Sequence, residues 1–320
     1  MTISTDWVGP SHLFERPWIP PEFLTNVEAL TARLDQRADT LARLASKRRD
    51  FRSYGLLPDQ DEAFDQLWRL RSELVVADKL LDVDVEVTIG RDSPDLECRL
   101  GDRRFGVEIT TRYPVTIEHA LRTRLAAICS SGQGCVVFLR RQQPLVFTIH
   151  DNARRAAVEQ VVAAVVDSTA PVVSLNLAET GFTAEIVRGA AITSEHHVVV
   201  ENDMPLHDAD YWPTLAHEII TSVRDKAAKT YSMDSVLALD ITRLGWTGQW
   251  PITVEATSAF DTVLDNYQAE WGPLKGVVLF RSWMWDQTDP AANTVQLFTF
   301  RGGDMARMVA ALLCVTVSAA

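Results

Sequence analysis

RDSPDLECRLGDRRFGVEITTR, residues 91–112, is the stretch that decides the fold expected of this chain. Asp95 opens a short alternating run, a Gly-Asp pair at 101–102 marks a tight turn, and a second alternating run, residues 105–110, carries Glu108. Two alternating runs joined by such a turn predict a β-hairpin. The hairpin carries one acid on each arm.

The second arm of the hairpin has two different faces, because side chains alternate across a strand. Glu108 and Thr110 share one face with Gly106, whereas the alternate positions from 105 to 109 are apolar. The apolar face needs a core to pack against. An acidic face beside it is suited to a divalent cation, since hard cations bind through carboxylates.

The composition is that of a globular protein without a membrane span. The chain has 320 residues, 47% of them hydrophobic and 23% charged, and no apolar run of membrane-spanning length. The first 20 residues lack a signal-peptide core, and the four cysteines form no CxxC pair, so we expect a cytoplasmic, reduced protein. A net charge of −12 argues against non-specific coating of nucleic acid but allows a local basic groove.

Elements on both sides of the hairpin predict an α/β protein with a central sheet. Thr25 with Glu28 fits a capping box that opens an amphipathic helix to about Arg49. A second helix, 61–81, carries Glu73 in its middle, and a later helix, 213–231, precedes apolar strands. We expect an N-terminal arm and helix over 1–60 and an α/β domain over 61–320. That domain would contain an inserted α/β segment at about 130–205.

These positions resemble the PD-(D/E)XK nuclease superfamily, whose fold is restriction-endonuclease-like. The matching residues are Glu73 on a helix, the Pro-Asp pair ending at Asp95, and Glu108 after the turn. The later helix and the apolar strand at 236–241 are similar to the elements that complete that core. The resemblance implies a central mixed sheet flanked by helices and a Mg²⁺- or Mn²⁺-dependent nuclease. It implies Asp95, Glu108 and Glu73 as metal ligands.

One residue departs from the superfamily pattern, which ends in a lysine where this chain has Thr110. That lysine is expected to orient the attacking water and to stabilise negative charge. In the superfamily it can come from the later helix, so Lys226 and Lys229 are the candidates here. The sequence does not choose between them.

The implied partner is nucleic acid, with DNA favoured over RNA, and the implied setting is restriction or phage defence. A homodimer or a partner protein stays open, as does a catalytically inactive module that binds nucleic acid or protein. Three other acids could replace a member of the set: Asp78, Asp92 and Glu97. A His-Glu pair at 217–218 lacks the second histidine of HExxH, so protease chemistry is not expected.

Overall fold

The computed structural model describes residues 21–37, 44, 47, 49–50, 53–54, 60–90, 92–112, 117–126, 128, 134–142, 146–189, 196–201, 210–244, 252–283 and 293–314. Residues 1–20 of the predicted N-terminal arm therefore lie outside the described residues.

The described helices and strands alternate along much of the chain. In order they are α1 (Pro21–Asp35), α2 (Gln60–Leu81), β1 (Glu86–Ile89), β2 (Leu96–Leu100), β3 (Arg103–Thr111), α3 (Glu118–Ala126), β4 (Val136–Arg141), α4 (Asp151–Asp167), β5 (Val172–Leu177), β6 (Phe182–Val187), β7 (His197–Glu201), α5 (Tyr211–His217), α6 (Ile219–Ala227), β8 (Ser235–Asp240), α7 (Val254–Asn266), β9 (Leu274–Trp283), β10 (Thr294–Gly302) and α8 (Asp304–Leu313).

The chain divides into two compact units. The first is Met1–Tyr113 together with Ile219–Ala320, and the second is Pro114–Glu218. The predicted insertion at 130–205 falls inside the range of the second unit. Among the described residues, the first unit has a mixed sheet of six strands in the order β1-β2-β3-β8-β9-β10. This is a mixed α/β architecture with helices against the sheet.

The hairpin predicted at 91–112 is confirmed and leads directly to the centre of this sheet. β2 and β3 pair antiparallel with Leu96 opposite Val107, and the turn at Gly101 has a φ of 59°. β3 then pairs in parallel with β8, far along the chain. The apolar face of β3 lies in a core that α1 and α2 also join, so burial fixes the register of the hairpin.

Aromatic packing attaches α1 to α2 in the first unit. Phe23 stacks on Trp68 with ring centroids 5.3 Å apart, and Phe64 meets the same indole edge-on at 5.9 Å. This packing places α1 against α2, the helix that carries Glu73.

The second unit has its own sheet and core. Its described strands form a mixed four-stranded sheet in the order β5-β6-β4-β7, in which β4 and β7 are parallel. Its apolar core draws on β4, β5, β6 and β7 together with α3 and α4.

Two helix predictions were wrong in their bounds. α1 begins at Pro21 and ends at Asp35, so Thr25 lies within the helix and is no cap. The predicted run to Arg49 is interrupted at 36–37, and the described residues 44, 47 and 49 are helical again. The helix predicted at 213–231 is two helices, α5 and α6, which meet at Glu218. The boundary between the compact units falls at the same place. The apolar pattern continues across this boundary, so the pattern alone predicted one helix where there are two.

Candidate active site

Close packing around Pro94 sets the position of Asp95. A Cβ atom at Gly106 would lie 2.5 Å from Pro94 Cγ, and one at Gly90 would lie 2.0 Å from the Pro94 carbonyl oxygen. The amide of Gly90 donates to the Asp95 carbonyl at 2.7 Å. Larger residues at either glycine would push this turn away from β3, so both glycines are needed for close approach.

Asp95 and Glu108 lie side by side at the junction of β2 and β3. Leu96, which follows Asp95, pairs with Val107, which precedes Glu108, so the two acids lie at the same end of the β2–β3 ladder. Asp95 Oδ2 accepts a hydrogen bond from the backbone amide of Ile109 at 2.7 Å. Both side chains are buried: Asp95 is 6% exposed and Glu108 is 0% exposed. Neither is a solvent-facing residue of an amphipathic strand.

Both candidate lysines reach the same oxygen of Glu108. Lys226, in the last turn of α6, donates to Glu108 Oε1 at 2.6 Å, and Lys229 donates to that atom at 2.8 Å. Their surroundings differ, because the Lys226 side chain is 7% exposed and the Lys229 side chain is 38% exposed. The hydroxyl of Tyr231 donates to the Lys226 carbonyl at 2.8 Å and holds the end of α6.

Glu73 is brought to the same site, but two other cations lie against it. Lys47 Nζ is 2.6 Å from Glu73 Oε2, and Arg69 Nε is 3.5 Å from Glu73 Oε1. Arg69 Nη2 also lies 3.8 Å from Asp95 Oδ1. The five predicted site residues, 73, 95, 108, 226 and 229, therefore converge within the first unit.

Sequence reasoning missed Lys47 and Arg69 as members of this site. Arg69 is four residues before Glu73 on α2, so the i,i+4 spacing was a signal that could have found it. Lys47 lies in a basic run that is equally typical of a solvated helix face. Its contact with Glu73 is a tertiary contact, which no local sequence pattern predicts.

Burial and neighbouring charges shift the pKa values of these groups. Burial, followed by the charges of Glu73 and Glu108, raises the pKa of Asp95 to about 7. Burial alone would raise the pKa of Glu108, yet Lys226 and Lys229 bring it below its ordinary value. Burial and then the charge of Arg69 lower the pKa of Lys226. Two adjacent carboxyls thus differ in proton affinity, as in many acid–base sites.

An open cleft of about 440 Å³ gives solvent access to these groups. Its lining is rich in charged side chains and consists of Lys47, Arg69, Gly90, Asp92, Ser93, Asp95, Lys229 and Thr230. Lys229 therefore faces the cleft, whereas Lys226 is not among its lining residues. This volume lies within the range of small-molecule binding clefts.

The chemistry of Asp95 and Glu108 fits a Mg²⁺ or Mn²⁺ ion bound by two carboxylates. Within the described residues, no donor hydrogen-bonds to the buried Glu108 Oε2. A buried oxygen of this kind is costly unless something binds it. Mg²⁺ is commonly held by one or two carboxylates, with water and substrate phosphate as further ligands. In the part of the chain that is described, no group of three or more His, Cys, Asp or Glu side chains is arranged to hold a metal ion.

The alternative acids have other surroundings. Asp78 Oδ2 pairs with Arg33 Nη2 at 2.5 Å, where α1 packs on α2. Glu97 lies in β2 between Thr88 of β1 and Gly106 of β3. Asp92 lines the cleft. In the second unit, Glu218 accepts a hydrogen bond from the Thr148 hydroxyl.

Comparison with known proteins finds no matching family model, no matching curated protein and no matching solved structure. Among the described helices, none combines the length and apolar character that crossing a membrane requires. The function of this chain must therefore be inferred from the geometry of the site itself.

Proposed function

We propose that this protein is a metal-dependent nuclease that hydrolyses phosphodiester bonds of nucleic acid, with DNA as the preferred substrate. The observation that carries the proposal is the convergence of Asp95, Glu108, Lys226 and Lys229 beside an open cleft. The order of elements adds support: a helix with an acid, an antiparallel hairpin with two, then a basic helix and a parallel strand. This is the order that the PD-(D/E)XK resemblance implies.

In this proposal Asp95 and Glu108 would hold a Mg²⁺ or Mn²⁺ ion. Such an ion lowers the pKa of a bound water and neutralises charge on a phosphodiester. The Ile109 amide orients Asp95 by donating to Oδ2, so Oδ1 is the oxygen without this backbone hydrogen bond. Lys226 and Lys229 both hold Oε1 of Glu108, which leaves Oε2 as its free oxygen.

Lys229 is the lysine that we assign to the missing motif position. It lines the cleft and is partly exposed, so its ammonium group can contact both an attacking water and a phosphate oxygen. Lys226 is buried against Glu108, with the Ile109 carbonyl 3.5 Å from its Nζ. Its role is to keep Glu108 ionised and in place.

The test is cleavage of supercoiled plasmid and labelled DNA and RNA strands with Mg²⁺ or Mn²⁺, followed by chelation with EDTA. Asp95→Asn and Glu108→Gln should each lower the rate by roughly 10²–10⁴-fold, the scale of a positioned acid–base group. Asp102→Asn, at the exposed tip of the same hairpin, is the matched control and should cleave like wild type. Cleavage that persists in both site variants would contradict the proposal.

A second function, nucleic-acid binding without cleavage, is favoured by one observation. Both lysines donate to a single oxygen of Glu108, and Thr110 supplies no cation of its own. DNA binding that survives EDTA, with no cleavage under either metal, would favour this alternative. If the DNA stays uncut and does not bind the protein even at low salt, both functions are excluded, since phosphate contacts are strongest there.

A further inference from the structure

Glu73 differs from Glu108 in that a cation lies within ion-pair distance of each of its two oxygens. Lys47 lies 2.6 Å from one oxygen, and Arg69 lies 3.5 Å from the other. Glu108 has both of its lysines on one oxygen and keeps the second free of hydrogen bonds within the described residues. A metal ion at Glu73 would have to displace at least one cation, whereas at Glu108 it would displace none.

Lys47 and Arg69 both keep N–H groups that can bind a further partner. Arg69 is 34% exposed, and its distances of 3.5 Å to Glu73 and 3.8 Å to Asp95 are longer than hydrogen bonds. Lys47 is 18% exposed and has two ammonium hydrogens beyond the one directed at Glu73. Both side chains line the cleft next to Asp95.

The charges along the cleft favour an anion. Its lining has three cations, Lys47, Arg69 and Lys229, against two carboxylates, Asp92 and Asp95. A guanidinium beside an ammonium suits phosphate, because the planar fork of arginine can bind two phosphate oxygens together. A DNA phosphate in the cleft would therefore meet donors on the side of α2.

We propose that Glu73 is a positioning residue and not a metal ligand: it holds Lys47 and Arg69 at the cleft, where they bind a backbone phosphate of the DNA substrate next to Asp95. This inference rests on the proposed function and names the residues that would receive its substrate. It revises the role that the resemblance implied for Glu73. Arg69 would exchange its long contact with Asp95 for the phosphate when DNA enters.

The first experiment tests whether Glu73 is a positioning residue or a metal ligand by titrating Mn²⁺ into the protein in a calorimeter. Glu73→Gln keeps the shape of the side chain and should bind Mn²⁺ within about threefold of wild type, a difference below 1 kcal/mol. Asp95→Asn should lose measurable binding. If Glu73→Gln loses Mn²⁺ as Asp95→Asn does, Glu73 is a ligand and the inference is overturned.

The second experiment measures binding of a fluorescent DNA duplex in EDTA across a range of salt concentrations. Lys47→Ala and Arg69→Ala should each weaken binding and reduce the slope of log affinity against log salt by about 1, the loss of one phosphate contact. Lys47→Arg keeps the positive charge and should therefore keep the slope of wild type. The control is Lys275→Ala, a half-exposed lysine 3.4 Å from Asp234, which should leave the slope unchanged.

The positioning role of Glu73 has its own readout in double variants. In the Glu73→Gln background, Lys47→Ala and Arg69→Ala should lose at least about half of their effect on DNA affinity, since coupled neighbours are non-additive. Full additivity, or an unchanged salt slope in both alanine variants, would overturn the inference. If wild type takes up no Mn²⁺ and cuts nothing, the proposed function fails, and these titrations in EDTA alone decide the inference.

Discussion

Two clusters of buried charge lie in the first compact unit, and they differ in how completely their polar atoms are satisfied. One surrounds Arg71, whose guanidinium donates to Asn26 at 2.9 Å, to Ser282 at 2.9 Å and to Asn293 at 2.6 Å. The other surrounds Glu108, where two lysines share one oxygen and the second oxygen has no donor among the described residues. Both central side chains are 0% exposed.

The difference separates a closed network from one that is open to solvent. Arg71 uses each of its nitrogens on a neutral partner, and burial lowers its pKa to about 10 while Asp240 opposes the shift. A closed network of this kind fixes the packing of α1, α2, β9 and the residue before β10. The Glu108 cluster instead opens to a cleft through Asp95 and Lys229. An unsatisfied carboxylate oxygen next to such a cleft is what the proposed metal site requires.

The largest expected effect comes from breaking the closed network. Arg71→Leu would leave three buried polar groups without their donor and Asp240 without its nearby cation, so the free energy of unfolding should fall by about 3–5 kcal/mol. Urea unfolding followed by tryptophan fluorescence measures the change. Arg99→Leu removes an exposed pair with Glu86 and should change stability by less than about 1 kcal/mol. Equal effects in the two variants would show that the Arg71 network is not structural.

Lys226 should contribute mainly to stability, and Lys229 should contribute mainly to cleavage. Lys226→Met removes a buried partner of Glu108 and should lower the free energy of unfolding by about 2–4 kcal/mol, because Lys229 compensates only partly. Lys229→Met should lower it by less than about 1 kcal/mol while reducing cleavage roughly 10²-fold. Urea unfolding and single-turnover cleavage of labelled DNA measure the two quantities. A reversed order would exchange the roles of the lysines.

The smallest effect concerns the pH dependence of stability in EDTA. The pKa of Asp95 is raised from 3.8 to about 7, so between these values the folded protein keeps a proton that the unfolded chain has lost. Stability from this group is therefore lost as pH rises from about 4 to about 7 and is constant above that. Asp95→Asn should remove this loss, so its free energy of unfolding should exceed that of wild type by more at pH 8 than at pH 4.

Unfolding curves at several pH values test this prediction against a neighbouring acid. Asp92→Asn changes an exposed carboxyl in the same cleft and should differ from wild type by less than about 0.5 kcal/mol throughout. If the difference in stability between Asp95→Asn and wild type is also constant across the pH range, the acids do not interact as strongly as their burial indicates.

The hairpin and its acids could be predicted because their signals are local. Period-two alternation, a Gly-Asp turn and a Pro-Asp pair specify two strands and place Asp95 and Glu108 on neighbouring arms. Helix bounds were less predictable. Apolar residues recur without interruption through 213–231, although the chain passes there from one core to the other at Glu218.

The pair of acids on one hairpin and the short list of lysines that could serve them were predictable from the amino-acid sequence alone. The tertiary contacts establish that both lysines reach Glu108, that Lys229 faces the cleft, and that Lys47 and Arg69 lie against Glu73. The reason is the range of the interactions. Alternation and turn chemistry act within a few residues, whereas the Lys226–Glu108 contact joins residues 118 positions apart and exists only once β3 and β8 pair in parallel.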